Sequence, residues 1–212
     1  MALIVDISMS LDGFVAGPDQ TLEDPLGKGG MDLHQWAFGA RAWREAHGME
    51  GGEANVDSEV IEETLARTGA TIMGRRMFSG GTGPGPWADD PNANGWWGDE
   101  PPFGHPVFVL THHAREPLVL GTTTFTFVTD GIESALGQAR AAAGGKDVLV
   151  AGGAEAVQQY FAAGLVDEFQ IHVAPLLLGD GARLFHDSRG ELELDRVISS
   201  PAATHLRYRP AR

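Results

Sequence analysis

The most informative stretch of the chain is residues 148–155, which read Val148-Leu149-Val150-Ala151-Gly152-Gly153-Ala154-Glu155. A short apolar run is followed by two glycines and a helix pattern, and residues 169–178 then return to a strand pattern. This order is typical of a parallel α/β unit. Glycines let the backbone approach a ligand, and the N–H groups at a helix start attract anions. The stretch predicts a parallel sheet, with either an anion site or an ordinary turn at the two glycines.

The same alternation extends over the rest of the chain. Strands are predicted at residues 3–8, 70–73, 107–110, 124–128, 148–151, 169–178 and 203–209. Helices are predicted at 33–46, from a cap at Asp57-Ser58 to a stop at Gly69, from a cap at Thr129-Asp130 to Gly144, and after Gly153. Residues 79–106, rich in Gly, Pro and Trp, form a long loop. We expect one α/β domain over residues 1–212, with a central mixed, mostly parallel sheet flanked by helices.

Composition excludes several classes of protein. The 212 residues include 15 Lys+Arg, 29 Asp+Glu and no cysteine, for a net charge of −14. An acidic chain is poorly suited to nucleic acids and to anionic membranes. Without cysteine there is no disulfide framework or thiol nucleophile, and no histidine motif predicts a metal site. No signal peptide or run of about 18 apolar residues is present. We expect a soluble, cytoplasmic protein without a metal.

Three predicted strands end in glycine, basic or hydroxyl residues. These residues are Gly74, Arg75 and Arg76 after the strand at 70–73, Thr111, His112 and His113 after the strand at 107–110, and the glycines at 152–153. Ligands of α/β sheets bind at the carboxyl ends of strands. Three such ends in an acidic chain favour one extended, multiply phosphorylated ligand, and a dinucleotide has that shape. The arginine pair favours NADP over NAD, because a 2′-phosphate needs a counter-charge.

Four motifs carry a family resemblance, and they read SLDG at 10–13, MGRRMF at 73–78, AGLVDE at 163–168 and APLLLGDG at 174–181. On these residues the chain resembles the dihydrofolate-reductase-like superfamily. It is especially similar to the reductase domain of the bifunctional riboflavin-biosynthesis deaminase–reductase and its stand-alone relatives. The resemblance implies a three-layer fold, NADPH bound across the strand ends and a homodimer. Residues 19–55 and 79–105 match poorly.

The resemblance also implies roles for individual residues. Those implied to bind the cofactor are Ala16 and Gly17 at the nicotinamide, Gly74, Arg75, Arg76, Met77, Thr111, His112 and His113 at phosphate groups, and Ala151, Gly152, Gly153, Ala154 and Glu155 at the pyrophosphate. Met77 stands where threonine is usual, so one phosphate-binding hydroxyl is absent. Substrate contacts are expected from Ser10, Phe14 and Trp36, although Trp36 at helical spacing also fits a core position.

The expected chemistry is hydride transfer from NADPH to a small heterocyclic, ribosylamino-pyrimidine or pterin-like substrate, as in 5-amino-6-(5-phosphoribosylamino)uracil reductase. A proton source is also needed, and Asp12 and Asp32 are the candidates. The alternatives are a turn carboxylate for Asp12 and a helix N-cap for Asp32. An NADP-binding module without turnover is the alternative function, and an interaction protein is a third. The strand at 169–178 is the expected dimer surface, with His172 facing a partner subunit or solvent.

Overall fold

The computed structural model of the chain describes residues 1–80, 93–186 and 188–211. The strands in these ranges are β1 (Leu3–Ser10), β2 (Phe14–Ala16), β3 (Thr68–Gly74), β4 (Val107–Leu110), β5 (Leu118–Leu120), β6 (Thr123–Val128), β7 (Asp147–Gly152), β8 (Glu168–Ala174), β9 (Ala182–Arg183), β10 (Leu192–Ser199) and β11 (Thr204–Pro210). The helices are α1 (Gln35–Phe38), α2 (Arg41–Ala46), α3 (Val56–Arg67), α4 (Arg75–Ser79), α5 (Ile132–Ala142) and α6 (Ala154–Ala162). A 3-10 helix, Gly30–His34, precedes α1. Much of the loop predicted at 79–106 lies outside the described residues.

Nine of these strands form one sheet in the order β10-β11-β8-β1-β7-β3-β4-β6-β5. The strands from β8 to β6 run parallel to one another. The strands β11, β10 and β5 are antiparallel and lie at the two edges. A separate pair is formed by β2 and β9. The predicted mixed, mostly parallel sheet is therefore confirmed.

Helices cover both faces of the sheet, which gives three layers. On one face Ile72 and Val150 pack in a core that includes α5 and α6. On the other face Met73 packs with Phe78 of α4, while α1 and α3 cover β1, β8 and β11. Central parallel strands are apolar on both sides because helices shield both faces. Within the described ranges, no helix is both long and apolar enough to cross a bilayer.

The helix predicted at 33–46 is wrong as a single element. Ala40 has an extended backbone (φ −76°, ψ 137°) and bridges Glu53. The N–H of Arg41 donates to the carbonyl of Glu53 at 3.0 Å, and the N–H of Glu53 donates to that of Gly39 at 2.8 Å. A tertiary contact therefore interrupts a pattern that is locally helical, and the chain bends between α1 and α2.

The predicted boundaries of α3 are also wrong. Its N-cap is Asn55, whose Oδ1 accepts the N–H of Ser58 at 3.0 Å, instead of the Asp57-Ser58 pair. Gly69 lies inside β3 and does not end the helix. A Cβ at Gly69 would be 2.1 Å from the carbonyl oxygen of Ala143, so glycine is needed there for close packing against the end of α5.

The helix α5 likewise has Gly131 as its N-cap, without a side-chain cap from Thr129-Asp130. The strand predicted at 169–178 ends at Ala174, before Pro175. Because β8 pairs with β1 on one side and β11 on the other, it is not an open dimer surface. His172 is only 1% exposed, so its expected position at a partner subunit or in solvent is wrong.

Candidate functional site

The carboxyl ends of β3, β4 and β7 open onto one cleft of about 1810 Å³. The ladder pairs Met73 with Gly152 and Gly74 with Leu110. A Cβ at Gly74 would lie 3.6 Å from the backbone nitrogen of Gly153. All the residues predicted to bind the cofactor line this cleft, namely Ala16, Gly17, Gly74, Arg75, Arg76, Met77, Thr111, His112, His113, Ala151, Gly152, Gly153, Ala154 and Glu155. The three separate strand ends thus belong to one site.

The turn between β7 and α6 depends on glycine. Gly152 has a φ of 132°, which L side chains rarely adopt, and a Cβ there would meet the sulfur of Met77 at 3.3 Å. The peptide bond between Gly152 and Gly153 is cis. Gly153 is the N-cap of α6, and no side chain caps this helix. The first N–H groups of α6 therefore lack a side-chain acceptor, and an anion is the ligand that such groups attract.

Residues 16–17 are held against two other loops by close backbone contacts. A Cβ at Gly17 would be 2.0 Å from the carbonyl oxygen of Lys28. A Cβ at Gly181 would be 2.1 Å from that of Ala16. No side chain larger than hydrogen fits at either position without a backbone shift, so these glycines determine the shape of this part of the cleft.

The arginines after β3 differ in how they are neutralised. Arg76 Nη1 lies 2.8 Å from Glu155 Oε1, so two side chains predicted at phosphate groups pair with each other. Arg75 forms no ion pair with a carboxylate of the described residues, and its Nη1 donates to Ser79 Oγ at 3.1 Å. Burial, together with the charge of Arg76, lowers the pKa of Arg75. Such a guanidinium is stabilised when an anion binds beside it.

The residues after β4 offer a hydroxyl and two imidazoles. Thr111 is buried, and its Oγ1 accepts the N–H of His113 at 3.1 Å. The proton of the Thr111 hydroxyl is therefore available to a second acceptor. His112 and His113 are exposed at the surface of the cleft. This strand end can hold a phosphate oxygen by hydrogen bonding.

Asp12 is not placed to donate a proton, which corrects its expected catalytic role. Its carboxylate accepts hydrogen bonds from the Ser10 hydroxyl at 2.6 Å and from the N–H groups of Leu178 and Gly179 at 3.1 and 2.7 Å. The Ser10 bond first, and then the backbone bonds, lower the pKa of Asp12 to about 2. The carboxylate is ionised at neutral pH and ties the loop after β1 to the loop after β8. The turn-carboxylate alternative describes it.

The other proton-donor candidate, Asp32, and the expected substrate contact Ser10 are not among the described residues that line the cleft. Asp32 is exposed on the 3-10 helix, whose N-cap is Gly29, so the N-cap alternative is also wrong. Ser10 is fully buried, and its hydroxyl accepts the N–H of Phe14 at 2.9 Å. Ser10 therefore shapes the turn that carries Phe14, without reaching the cleft itself.

Of the two aromatic residues expected at the substrate, Phe14 lines the cleft and Trp36 does not. The guanidinium of Arg183 lies 4.3 Å from the centroid of the Phe14 ring. Trp36 is buried and donates its Nε1–H to Ser8 Oγ at 3.0 Å. Its ring packs against that of His172 with centroids 4.3 Å apart. The core alternative for Trp36 is therefore correct.

The lining also includes side chains that the sequence analysis missed. They come chiefly from the poorly matched segment and from α6, and they include Met31, His34, Phe38, Trp43, His47, Gln158 and Gln159. The aromatic ones are spaced four residues apart, as His34 with Phe38 and Trp43 with His47. That spacing places two rings on the same side of a helix, but it does not tell which side faces a ligand.

Glycine-rich strand ends, an uncapped helix start and an arginine without a carboxylate partner among the described residues line one cleft of an α/β sheet, and this arrangement suits an anionic ligand. The family model described as RibD C-terminal domain matches residues 1–205. The chain belongs to the RibD C-terminal domain family.

Two curated relatives match shorter stretches, and both are uncharacterized proteins of Bacillus subtilis (strain 168). YyaP is 40% identical over 53 residues, which cover 25% of this chain and 28% of YyaP. YwjB is 35% identical over 69 residues, which cover 32% of this chain and 39% of YwjB. The matches thus span less than half of either relative.

Solved structures share the fold over nearly the whole chain. A putative riboflavin biosynthesis protein from Shewanella sp. PV-4 is 21% identical, with 100% of both chains covered and a TM-score of 0.63. A pyrimidine reductase-like protein from Corynebacterium diphtheriae is 13% identical, covering 100% of this chain and 92% of that one, at 0.52. A deaminase/5-amino-6-(5-phosphoribosylamino)uracil reductase from Thermotoga maritima is 12% identical, covering 99% and 56%, at 0.56. The resemblance to dihydrofolate-reductase-like, RibD-type domains is confirmed.

Proposed function

We propose that this protein is an NADPH-dependent oxidoreductase that reduces a small heterocyclic substrate, in the manner of the pyrimidine reductases of riboflavin biosynthesis. The observation that carries the proposal is the convergence of three strand ends, at Gly74, Thr111 and Gly152, on one cleft beside Arg75, which pairs with no carboxylate of the described residues. Family membership supports the reductase class.

The residues present fit NADPH. The backbone at Gly152-Gly153 and the first turn of α6 would hold the pyrophosphate, because this helix start has no side-chain cap and a Cβ at Gly153 would meet no atom within 4 Å, so the space beside it is open. Arg75, with Thr111 and His112, would bind the 2′-phosphate. Ala16 and Gly17 would lie against the nicotinamide. When bound, NADPH supplies the hydride, and the protein's part is to orient the two reactants and to exclude water.

The ion pair between Arg76 and Glu155 has a role in this scheme. Both side chains are substantially exposed, at 50% and 71%, so their mutual attraction is weak. We propose that Arg76 exchanges Glu155 for a cofactor phosphate on binding. Glu155 then lowers affinity for the anion, since its negative charge stays beside the pyrophosphate site.

An NADP-binding module without turnover is the second candidate. The observation that favours it is the position of the two expected proton donors, since neither Asp12 nor Asp32 is among the described residues of the lining. An enzyme of this scheme would need a proton from a bound water or from another group in the cleft.

Titration calorimetry with NADPH and NADH tests the cofactor first. We expect NADPH to bind more tightly than NADH and to raise the melting temperature of the protein. Absence of binding by either nucleotide would overturn the proposal. Oxidation of NADPH, followed by absorbance with a panel of pyrimidine, pterin and folate substrates, then separates the two candidates. Tight binding with no oxidation across the panel favours the module.

A homodimer remains a proposal that follows from the family resemblance. The paired strand β8 does not supply its surface, whereas β10 is an edge strand with Leu194 56% and Val197 52% exposed. Light scattering coupled to size-exclusion chromatography measures the mass directly. A mass of one chain at all concentrations would contradict the dimer.

A further inference from the structure

One wall of the cleft, formed by the 3-10 helix, α1 and α2, consists of aromatic rings in series. The ring centroids of His34 and Phe38 are 6.5 Å apart, with planes 22° from parallel. Those of Phe38 and Trp43 are 4.9 Å apart. Trp43 and His47 stack at 3.8 Å and 24°. All four side chains line the cleft, and we call them the aromatic wall.

The bend between α1 and α2 builds this wall. Helical spacing pairs His34 with Phe38 and Trp43 with His47. The bend sets the second pair beside the first through the contact between Phe38 and Trp43. His47 Nδ1 lies 2.7 Å from the carbonyl oxygen of Trp43, which holds the last ring in place. The ring contacts and this hydrogen bond therefore join the four side chains into one surface.

The aromatic wall carries no charge. Burial lowers the pKa of both His34 and His47, so both imidazoles are neutral near pH 7. The arginines that line the cleft in the described part of the chain are Arg75 and Arg76 on α4 and Arg183 on β9, and none belongs to the wall. The guanidinium of Arg183 packs on the Phe14 ring and donates to the carbonyl oxygen of Asp12 at 3.1 Å. A phosphate on a molecule held by the wall would find no counter-charge there.

The wall lies beside the loop proposed to contact the nicotinamide. A Cβ at Gly30, the first residue of the 3-10 helix, would be 3.2 Å from the nitrogen of Gly17 and 3.8 Å from Ala16 Cα. A ring bound on the wall is thus at the end of the cleft where hydride transfer would take place. Transfer requires the two reacting rings to be in contact.

We propose that the aromatic wall binds the substrate and that this substrate is a flat, conjugated ring system without a phosphate group. This rests on the proposed function and narrows it to one class of heterocycle, distinct from a ribosyl phosphate. The faces of Phe38 and Trp43 offer stacking surfaces to a planar ring. Neutral imidazoles at both ends of the wall offer hydrogen bonds to polar groups on its edge.

Calorimetry with two probes tests the substrate class. Lumazine is a bare pteridine ring, and uridine 5′-monophosphate is a phosphorylated pyrimidine. With NADPH at saturation, we expect lumazine to bind at least about tenfold more tightly than the nucleotide. Equal affinity or the reverse order would overturn the proposal. NADPH binding is measured in a separate titration, so failure of the cofactor scheme is recognised independently.

Variants at Trp43 test the wall itself. Trp43→Leu should weaken lumazine about tenfold, whereas Trp43→Phe keeps an aromatic face and most of the affinity. NADPH affinity should be the same in both variants, which also shows that each is folded. Unchanged lumazine affinity in Trp43→Leu would mean that the ligand binds elsewhere and would contradict substrate binding at the aromatic wall.

A different observation concerns the polar layer between α3 and the sheet, where four titratable side chains form a continuous chain. Asp57 Oδ1 is 2.8 Å from His205 Nε2, and His172 Nε2 is 3.0 Å from Asp6 Oδ1. The Nδ1 atoms of the two histidines are 2.7 Å apart. Both histidines and Asp57 are at most 3% exposed. We call this arrangement the Asp–His–His–Asp chain.

Counting protons determines the charge of this chain. Each of its three contacts is a hydrogen bond only when it holds one proton. Two ionised carboxylates and two neutral imidazoles carry only two protons, which would leave the facing Nδ1 atoms of His172 and His205 as opposed lone pairs. Four protons would place two donors against each other in one contact. Three protons satisfy every contact, so the chain holds one more proton than its neutral-imidazole form.

The surrounding groups are satisfied by other partners. Asp6 Oδ2 accepts hydrogen bonds from Thr64 and Gln170, both at 2.9 Å. Arg207 contacts Gln170 and is paired with Glu63. Burial lowers the pKa of His34, the nearby imidazole on the 3-10 helix, so it stays neutral. Burial lowers the pKa of His205, and the hydrogen bond to Asp57 and the negative charges of Asp57 and Asp6 act against that lowering.

We infer that the folded protein keeps one shared proton between His172 and His205 across the neutral range, and that this makes the pair's contribution to stability greatest near pH 6.5. In the unfolded chain, two histidines with an ordinary pKa of 6.5 hold one proton between them at that pH. Above it the unfolded chain holds fewer protons than the folded one, so stability falls as pH rises. Below it the unfolded chain holds more, so stability falls as pH decreases.

Urea unfolding from about pH 5 to about pH 9 tests the inference on the wild type and on the double variant His172→Gln/His205→Gln. The difference in unfolding free energy should peak near pH 6.5, and a flat difference would overturn it. Nitrogen NMR of the wild-type histidines decides the matter if the variant does not fold. At about pH 8 we expect three protonated nitrogens among the four of this pair. Two singly protonated rings would contradict the shared proton.

Discussion

Charged side chains have different ion-pair partners in the polar layer under α3 and in the cleft at the strand ends. In the layer, Glu168 is 5% exposed and lies 2.8 Å from Arg67 Nη1 and 3.4 Å from Arg207 Nε. In the cleft, Arg75 has no carboxylate partner among the described residues, and Arg76 has an exposed one. Basic residues are thus found in both places. In the layer they pair with a buried carboxylate, and among the described residues of the cleft they pair with an exposed carboxylate or with none.

This difference shows how to separate structural from functional charges in one protein. A buried charge needs partners inside the fold, because it has lost its water. A charged side chain at the edge of a cleft stays partly hydrated, so it is stable without a protein partner until a ligand binds. The sequence does not show whether an arginine is paired with a carboxylate. Only the side chains that surround each residue in the fold distinguish Arg67 from Arg75.

The largest expected effect is the loss of folding stability when a charge in the polar layer is removed. Glu168→Gln should lower the free energy of unfolding by about 2 kcal/mol, because Arg67 and Arg207 lose a buried carboxylate that they share, while Asp147 still pairs with Arg67 and Glu63 with Arg207. Urea denaturation at neutral pH measures the loss. The matched change in the cleft, Glu155→Gln, should alter stability by less than about 1 kcal/mol, since its ion pair is exposed. Similar losses in the two variants would erase the distinction between the regions.

The next largest effect is on cofactor affinity, and it tests the assignment of Arg75 and Arg76 to the 2′-phosphate. Arg75→Ala/Arg76→Ala should weaken NADPH at least about tenfold more than NADH, because the two cofactors differ by the 2′-phosphate. Calorimetric titration of both nucleotides gives the ratio. Arg183→Ala is the control, since Arg183 packs on Phe14 and should change both affinities alike. Equal losses in the double variant would remove the 2′-phosphate from the arginine pair.

A smaller effect tests the exchange of partners by Arg76. Glu155→Gln should strengthen NADPH binding about threefold at low salt, because it removes a negative charge near the phosphates and releases Arg76. The gain should shrink as ionic strength rises. A weaker affinity in this variant would mean that Glu155 orients Arg76 for binding, contrary to the proposed exchange.

The smallest effect concerns the pH dependence contributed by Asp12. Its pKa is lowered from 3.8 to about 2 in the folded state, so its stabilisation is complete above the ordinary value and is lost as pH falls toward about 2. Asp12→Asn should lower the melting temperature slightly at neutral pH, and the gap should close over that acid range. Asp32→Asn, at an exposed residue, should leave the melting temperature at neutral pH unchanged.

The sequence was most informative where function depends on local patterns. Gly152-Gly153 and Gly74-Arg75-Arg76 directly follow buried strands, and parallel strands bring their carboxyl ends to the same edge of a sheet. The part of the cleft at these strand ends could therefore be predicted, whereas the lining from residues 31–47 could not. Strands at the edges were harder, since β10 has a mostly exposed pattern without the continuous apolar run that marks a central strand.

The sequence was least informative where contacts join distant residues. His172 and His205 are 33 residues apart, and His172 and Asp6 are 166 apart. Their pairing depends on the register of β8 with β11 and with β1. Similarly, Trp36 has the spacing of a helix residue, but the packing of α1 on the sheet turned its ring toward His172 instead of the cleft.

The sequence by itself determined the α/β class, the mostly parallel sheet and the glycine and arginine residues at its strand ends, because apolar periodicity and turn-forming residues act over a few neighbouring positions. Only the tertiary structure decided which charges are neutralised, that Asp12 serves a loop, and that His34, Phe38, Trp43 and His47 line one wall. Those outcomes depend on which surfaces come together when the chain buries its apolar area, and that selection is made by the whole chain at once.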